Sequence, residues 1–224
     1  MYSGLPFPLF NGVYRSRLKG HTADEAVERF THELDRRGLP GFWWVSPIAQ
    51  PHDLASRLLA KGFQPVGEMP AMALDLERMT PAATPANIRV VRVRDQAMLD
   101  AWIRITSDGS DFPPPVARAL IERDQSTLSP ELWRYLGLLD GEPVAASSIG
   151  LTDGVAGLYA VATLPEYRRQ GLGTAVTQVP LQEAQKLGFK VAVLQATQAG
   201  YPVYKRLGFV DVAPIGLYLW PPRG

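Results

Sequence analysis

The sequence contains no cysteine, which removes disulfide frameworks, thiolate nucleophiles and thiolate zinc sites together. Such a chain suits a reducing cytoplasm, and a cytoplasmic location is expected. It also lacks any apolar run near the roughly 20 residues that a membrane span requires, so no membrane association is expected. Residues 1–10 are apolar but hold Pro6 and Pro8 and have no basic lead-in, so they do not read as a secretory leader. There is no excess of one charge: 23 Lys and Arg face 22 Asp and Glu, which argues against a nucleic-acid partner or an acidic tail. His21, His32 and His52 all fall in the first half without metal-ligand spacing, so no metal site is expected. No Gly-Lys-Ser/Thr occurs, and Val176 stands where a dinucleotide fingerprint would need its third glycine, so nucleotide hydrolysis and nicotinamide redox chemistry recede.

What remains is a chain with 46% hydrophobic residues, enough to bury a core and form one generous domain or two small ones. The clearest punctuation is at residues 80–86, where Pro81 and Pro85 stand among small residues between segments of regular apolar periodicity. The expected organisation is therefore an N-terminal domain over 1–79, a linker over 80–86 and a second domain over 87–224. After the linker, residues 88–93 read as a strand, and Asp95 is placed to cap a helix carrying Met98, Leu99, Trp102, Ile103 and Ile105. A loop from Asp108 to Pro115 and a helix over 116–123 follow. Residues 133–139 and 144–151 form a hairpin about Asp140-Gly141-Glu142, and Asp153-Gly154 turns the chain into a strand at 155–163. A helix runs toward Leu187, then a strand at 191–194, a short helix at 203–207, and strands at 209–212 and 217–220. The fold class is α+β with a mixed sheet.

An internal echo joins the two halves. Ala60-Lys61-Gly62-Phe63 matches Arg206-Leu207-Gly208-Phe209, and Phe42-Trp43-Trp44-Val45 precedes the first copy as residues 191–194 precede the second. Trp43-Trp44 suits a strand with apolar neighbours on both faces more than an aromatic acceptor pocket.

The chemistry concentrates in Arg168-Arg169-Gln170-Gly171-Leu172-Gly173-Thr174, where a strand runs into glycines and then a helix. Glycines admit close approach of the backbone, and amides at a helix start point outward unpaired, so this is an anion site suited to phosphate. A solvated basic turn before a helix is the bland alternative.

Val161-Ala162-Thr163-Leu164-Pro165-Glu166-Tyr167-Arg168-Arg169-Gln170-Gly171-Leu172-Gly173, followed by Tyr204-Lys205-Arg206-Leu207-Gly208-Phe209, resembles the GNAT N-acetyltransferase superfamily. The resemblance covers residues 88–220, and residues 1–79 resemble a degenerate GNAT-like half without the glycine-rich loop. It implies a mostly antiparallel GNAT-type mixed sheet with flanking helices, in which a splayed pair of parallel strands admits the pantetheine arm of acetyl-CoA. The amides of Gln170, Gly171, Leu172, Gly173 and Thr174 would bind the pyrophosphate, with Arg168 at the motif's Arg/Gln position and Arg169 beside it. Val161, Ala162 and Thr163 would bond the arm through their backbone, the Val161 amide would face the acetyl oxygen, and Thr197 would touch the arm or else cap a strand end. Tyr204 matches the tyrosine that protonates the departing thiolate.

The activity implied is direct acetyl transfer from acetyl-CoA to a primary amine on a small molecule or peptide, without a covalent enzyme intermediate. The strand that often carries a glutamate in relatives holds no acid here, leaving Tyr159, a water chain, Asp108 or Asp111 as proton acceptors. That gap keeps a non-catalytic acyl-CoA-binding module as the alternative. Residues 111–115, with Glu131 and Trp133, are candidate walls for the acceptor, and Pro180 should bend the helix that follows the glycine-rich turn.

Overall fold

The computed structural model describes residues 3–110, 113, 116, 119 and 132–222. Asp111, Phe112, Pro114, Pro115 and Glu131, named above as acceptor candidates, lie outside the described residues, as does most of the helix expected over 116–123. In chain order the elements are β1 (Gly12–Val13), α1 (Gly20–Arg37), β2 (Gly41–Val45), α2 (Leu54–Lys61), β3 (Gln64–Asp75), β4 (Ile88–Arg92), α3 (Gln96–Gly109), β5 (Leu132–Leu139), β6 (Glu142–Thr152), β7 (Val155–Thr163), α4 (Leu172–Lys186), β8 (Val191–Gln195), α5 (Tyr201–Leu207) and β9 (Val210–Trp220). They gather into two compact units, Met1–Ala71 with Ala213–Gly224, and Met72–Val212.

In the first unit α1 buries Ala23, Val27, Phe30 and Leu34, a three-to-four spacing that lays one helical face on the core. Trp43 and Phe63 pack against Phe30 there, so Trp43 is core, while the ring of Trp44 meets Tyr14 at 5.4 Å. β1 runs parallel to β2, and β2 pairs antiparallel with the end of β9, Gly41 opposite Trp220. Fully buried Asn11 organises the N-terminal segment: its carbonyl accepts from the Ser3 and Gly4 amides, and its amide donates to the Leu5, Phe7 and Pro40 carbonyls. One side chain thereby gathers backbone groups from both ends of the segment, supplying the Gly4 amide and the Pro40 carbonyl with a partner.

The second unit holds the end of β3 followed by the strand order β8-β7-β6-β5-β4, antiparallel from β4 to β7 and parallel between β7 and β8. This is the mixed, mostly antiparallel α+β sheet expected from the sequence. Asp95 caps α3 by accepting the Met98 amide at 2.8 Å. Residues 80–86 carry no α-helix or strand and fall within this unit. The two strands expected at 209–212 and 217–220 are one continuous strand, because proline's fixed φ is compatible with extended chain and Pro214 removes only a single donor.

Two irregularities share one residue. Ala146 pairs with Ala162 and Ser148 with Tyr159, so Ser147 alone opposes Ala160 and Val161, a β-bulge in which Ala160 takes a left-handed φ of 51°. The Ser147 carbonyl accepts instead from the Trp102 indole at 2.8 Å. Pro180 lies inside α4 and has no N–H, which orphans the Val176 carbonyl four residues earlier, and the Ser147 hydroxyl donates to that carbonyl at 2.6 Å. Ser147 therefore ties the bulge to α3 and closes the gap that Pro180 opens in α4.

Candidate functional site

The parallel pairing of β7 with β8 stops at Gly157 opposite Val193, although β7 continues to Thr163 and β8 to Gln195. The ends beyond are splayed. Val161, displaced by the bulge, has no paired residue in either neighbouring strand. Below the splay, Arg169 (φ 68°) and Gly171 (φ 90°) adopt left-handed conformations and curl the chain into α4. No side chain caps that helix, so its first amides face outward with the positive end of its dipole.

These features line one cleft of about 810 Å³ in the second unit, a size ordinary for a small-molecule or cofactor site. The cleft brings together Val161, Ala162, Thr163, Arg168, Arg169, Gly171, Leu172, Gly173, Thr174, Thr197 and Tyr204; Gln170 is not among its lining. Leu172 contributes backbone, since its side chain is buried in the core. Gly173 is the informative glycine. A Cβ built on it would meet no protein atom closer than 3.9 Å, so packing within the chain does not require glycine there, whereas a group seated on the helix start would. The residues thus fit a diphosphate carried on an elongated arm.

Arg168 does not aim its charge into this cradle. Its guanidinium donates to the Thr163 carbonyl at 3.2 Å and the Gly109 carbonyl at 3.1 Å, tying the end of α3 to the end of β7. Thr197 accepts the Gly200 amide on its hydroxyl at 3.2 Å and so caps the entry to α5. Arg206, Tyr167 and Gly109 also line the cleft and were missed in the sequence. The signal for Arg206 was faint: a cation two residues beyond Tyr204, meaningful only once α5 faces the basic turn.

Tyr204 is buried against Phe209, with ring centroids 5.8 Å apart, and burial pushes its phenol up to about 12. It is a protonated donor at neutral pH. Gly200 leaves room for its ring, since a Cβ there would come within 2.8 Å of it. Tyr201 is engaged elsewhere: its hydroxyl donates to Asp211 at 2.7 Å, which raises its pKa.

Of the proton acceptors named from the sequence, Tyr159 is half-exposed with its ring over Gly157, and Asp108 is exposed on α3; neither lines the cleft. Asp111 lies outside the described residues. Among the described residues no carboxylate or imidazole lines the cleft, and His21, His32 and His52 are exposed. Trp133 does not line the cleft; its ring lies beneath the Arg92 guanidinium at 3.6 Å and packs against the core that includes Tyr135 and Leu181.

Solved structures share this architecture. A GCN5-related N-acetyltransferase from Kribbella flavida superposes with a TM-score of 0.73 at 23% identity, covering 98% of this chain and 79% of that one. A GCN5-related N-acetyltransferase from Sphaerobacter thermophilus gives 0.70 at 19% identity, over 92% and 70%. A tandem GNAT protein from the clavulanic acid biosynthesis pathway gives 0.62 at 17% identity, over 90% and 69%. No curated protein matches the sequence. Residues 98–209 match the model of the acetyltransferase (GNAT) family, and with the splayed strands and open helix start on that same stretch, the chain belongs to the GNAT family.

Proposed function

We propose that the protein transfers an acetyl group from acetyl-CoA to a primary amine on a small molecule or peptide, by direct attack without a covalent enzyme intermediate. The observation that carries this reading is the convergence of the open α4 start, the splayed β7 end and the buried Tyr204 phenol on one cleft. Acetyl-CoA would supply the activated acyl thioester. The amides at the start of α4, Gly171 through Thr174, hold the diphosphate, with Arg169 and Arg206 adding charge at the cleft wall. The Val161 backbone, outside the paired register, hydrogen-bonds the arm as an added strand would, and its N–H donates to the acyl oxygen where negative charge develops. Tyr204, held protonated by burial, gives its proton to the departing sulfur. Water or a residue outside the described set accepts the proton of the amine.

Residues 1–79 are read as a reduced copy of the same fold. The support is local: α2 and α5 both end on a left-handed glycine, Gly62 at φ 105° and Gly208 at φ 100°. In each copy the next aromatic amide closes back at 3.0 Å, Phe63 on Leu58 and Phe209 on Tyr204.

A second reading, a non-catalytic acyl-CoA-binding module, is favoured by the lack of a carboxylate or imidazole in the described lining. Titration of acetyl-CoA and CoA into wild-type and Gly173→Glu protein tests the first step. The added Cβ meets nothing closer than 3.9 Å and an acid at a helix start is benign for folding, so the variant should fold normally and bind at least about tenfold more weakly, by repulsion of the diphosphate. No binding by wild type refutes both readings. Binding without thiol release against an amine library, with Tyr204→Phe no different, selects the second.

A further inference from the structure

Beyond the turn Leu76–Arg78, residues 79–85 continue without regular structure beside α4. Near the helix end the Gln185 side chain donates to the Leu76 carbonyl at 2.7 Å. Two turns earlier stands Gln178, only 4% exposed, and its amide is wholly spent on this segment. Its oxygen accepts the Ala82 N–H at 2.9 Å, and its nitrogen donates to the Ala82 carbonyl at 2.9 Å and to Thr84 Oγ1 at 2.9 Å. At the helix start, the Pro85 ring carbons lie 3.6 and 3.7 Å from a Cβ built on Gly171. The Thr80 amide meanwhile donates to the Leu207 carbonyl at the end of α5, the helix that carries Tyr204. The distances agree: α4 rises about 10 Å from Gly171 to Gln178, and extended chain from Ala82 to Pro85 spans about 10 Å.

A leucine would fill the same interior position of α4 without polar groups that must all be satisfied, so packing alone does not call for glutamine there. We infer that Gln178 is a positioning residue for the anion-binding turn: by fastening residues 82–84 to α4 it seats Pro85 against Gly171 and holds the left-handed turn that presents the amides of Leu172, Gly173 and Thr174. The stretch between the halves is thus a brace for the cleft. This rests on the reading of that turn as the diphosphate site.

The test compares Gln178→Leu, Pro85→Ala and the double variant with wild type, by calorimetric titration of CoA and by hydrogen exchange of the Ala175 amide in the free protein, which donates to the Gly171 carbonyl. Loss of preorganisation should weaken CoA about tenfold in Gln178→Leu and by a similar factor in Pro85→Ala. The double variant should be no weaker than the worse single one, Ala175 exchange should accelerate, and the KM for acetyl-CoA should rise with kcat unchanged. A folded Gln178→Leu protein with wild-type CoA affinity and wild-type Ala175 exchange overturns the inference, as does a parallel fall in kcat with KM unmoved. Should Gln178→Leu fail to fold, Pro85→Ala decides alone, since it removes no hydrogen-bond donor. Should wild type not bind CoA, the diphosphate reading fails by itself, and faster Ala175 exchange in the variants upholds the brace while unchanged exchange overturns it.

Discussion

Replacing Ser147 by alanine removes one hydroxyl that is fully buried and donates to the Val176 carbonyl at 2.6 Å. In an ordinary helix that carbonyl would still receive the amide of residue 180, but here residue 180 is proline. The variant therefore leaves a buried carbonyl with no partner, at about 1–3 kcal/mol. For a chain of this size that corresponds to a fall in melting temperature of roughly 2–12 °C. The same substitution in a Pro180→Ala background should cost about 0.5 kcal/mol or less, because the restored amide supplies the missing donor. The quantity to measure is the coupling in this double-mutant cycle, expected at about 1–2 kcal/mol from urea denaturation of the four proteins. The Trp102 bond to the Ser147 backbone is untouched by the change, which keeps the cycle specific to α4. Equal costs of Ser147→Ala in both backgrounds would refute the claim that the hydroxyl compensates for the proline.

Three further outcomes are expected. The Tyr204 phenol is raised by burial to about 12 from the ordinary 10, so the folded state binds more protons than the unfolded state between those values. Stability from this group is complete below pH 10 and declines as pH rises toward 12; Tyr204→Phe should lose part of that alkaline slope in pH-dependent unfolding, and an identical slope would remove the burial argument. Asn11→Ala leaves the Gly4 amide and the Pro40 carbonyl without their side-chain partner and should cost about 2 kcal/mol or more, seen as proteolytic opening of the N-terminal segment while acetyl-CoA titration is unchanged. Gly173→Glu should abolish most CoA affinity with an unchanged melting temperature; a parallel loss of stability would mean the glycine serves packing instead.

The elements that sequence reading placed well are those determined by neighbours along the chain. Asp95 caps α3, and Asp140-Gly141 and Asp153-Gly154 turn their hairpins because each conformation is decided within a few residues by a side chain or its absence. The continuous β9 was harder, since Pro214 and Gly216 carry the same letters in a break as in an extended strand.

By itself, the sequence determined the glycine-rich turn and the phenol: glycines at 171 and 173, a helix start without a side-chain cap, and Tyr204 in a glycine-closed helix are local features that line the cleft where they stand. Only the tertiary structure decided the rest. The bulge depends on which residue of β6 lies opposite Ala160, and an alanine carries no mark of a left-handed φ. Pro180 was legible as a break in α4, but Ser147 is an ordinary letter until the fold sets it against the Val176 carbonyl, and Arg206 enters the cleft only when α5 has docked. Tyr159, promising as a residue on the right strand, turns its ring over Gly157, away from the cleft. Cross-strand register and helix docking are set by partners far away in the chain, and no local pattern encodes them.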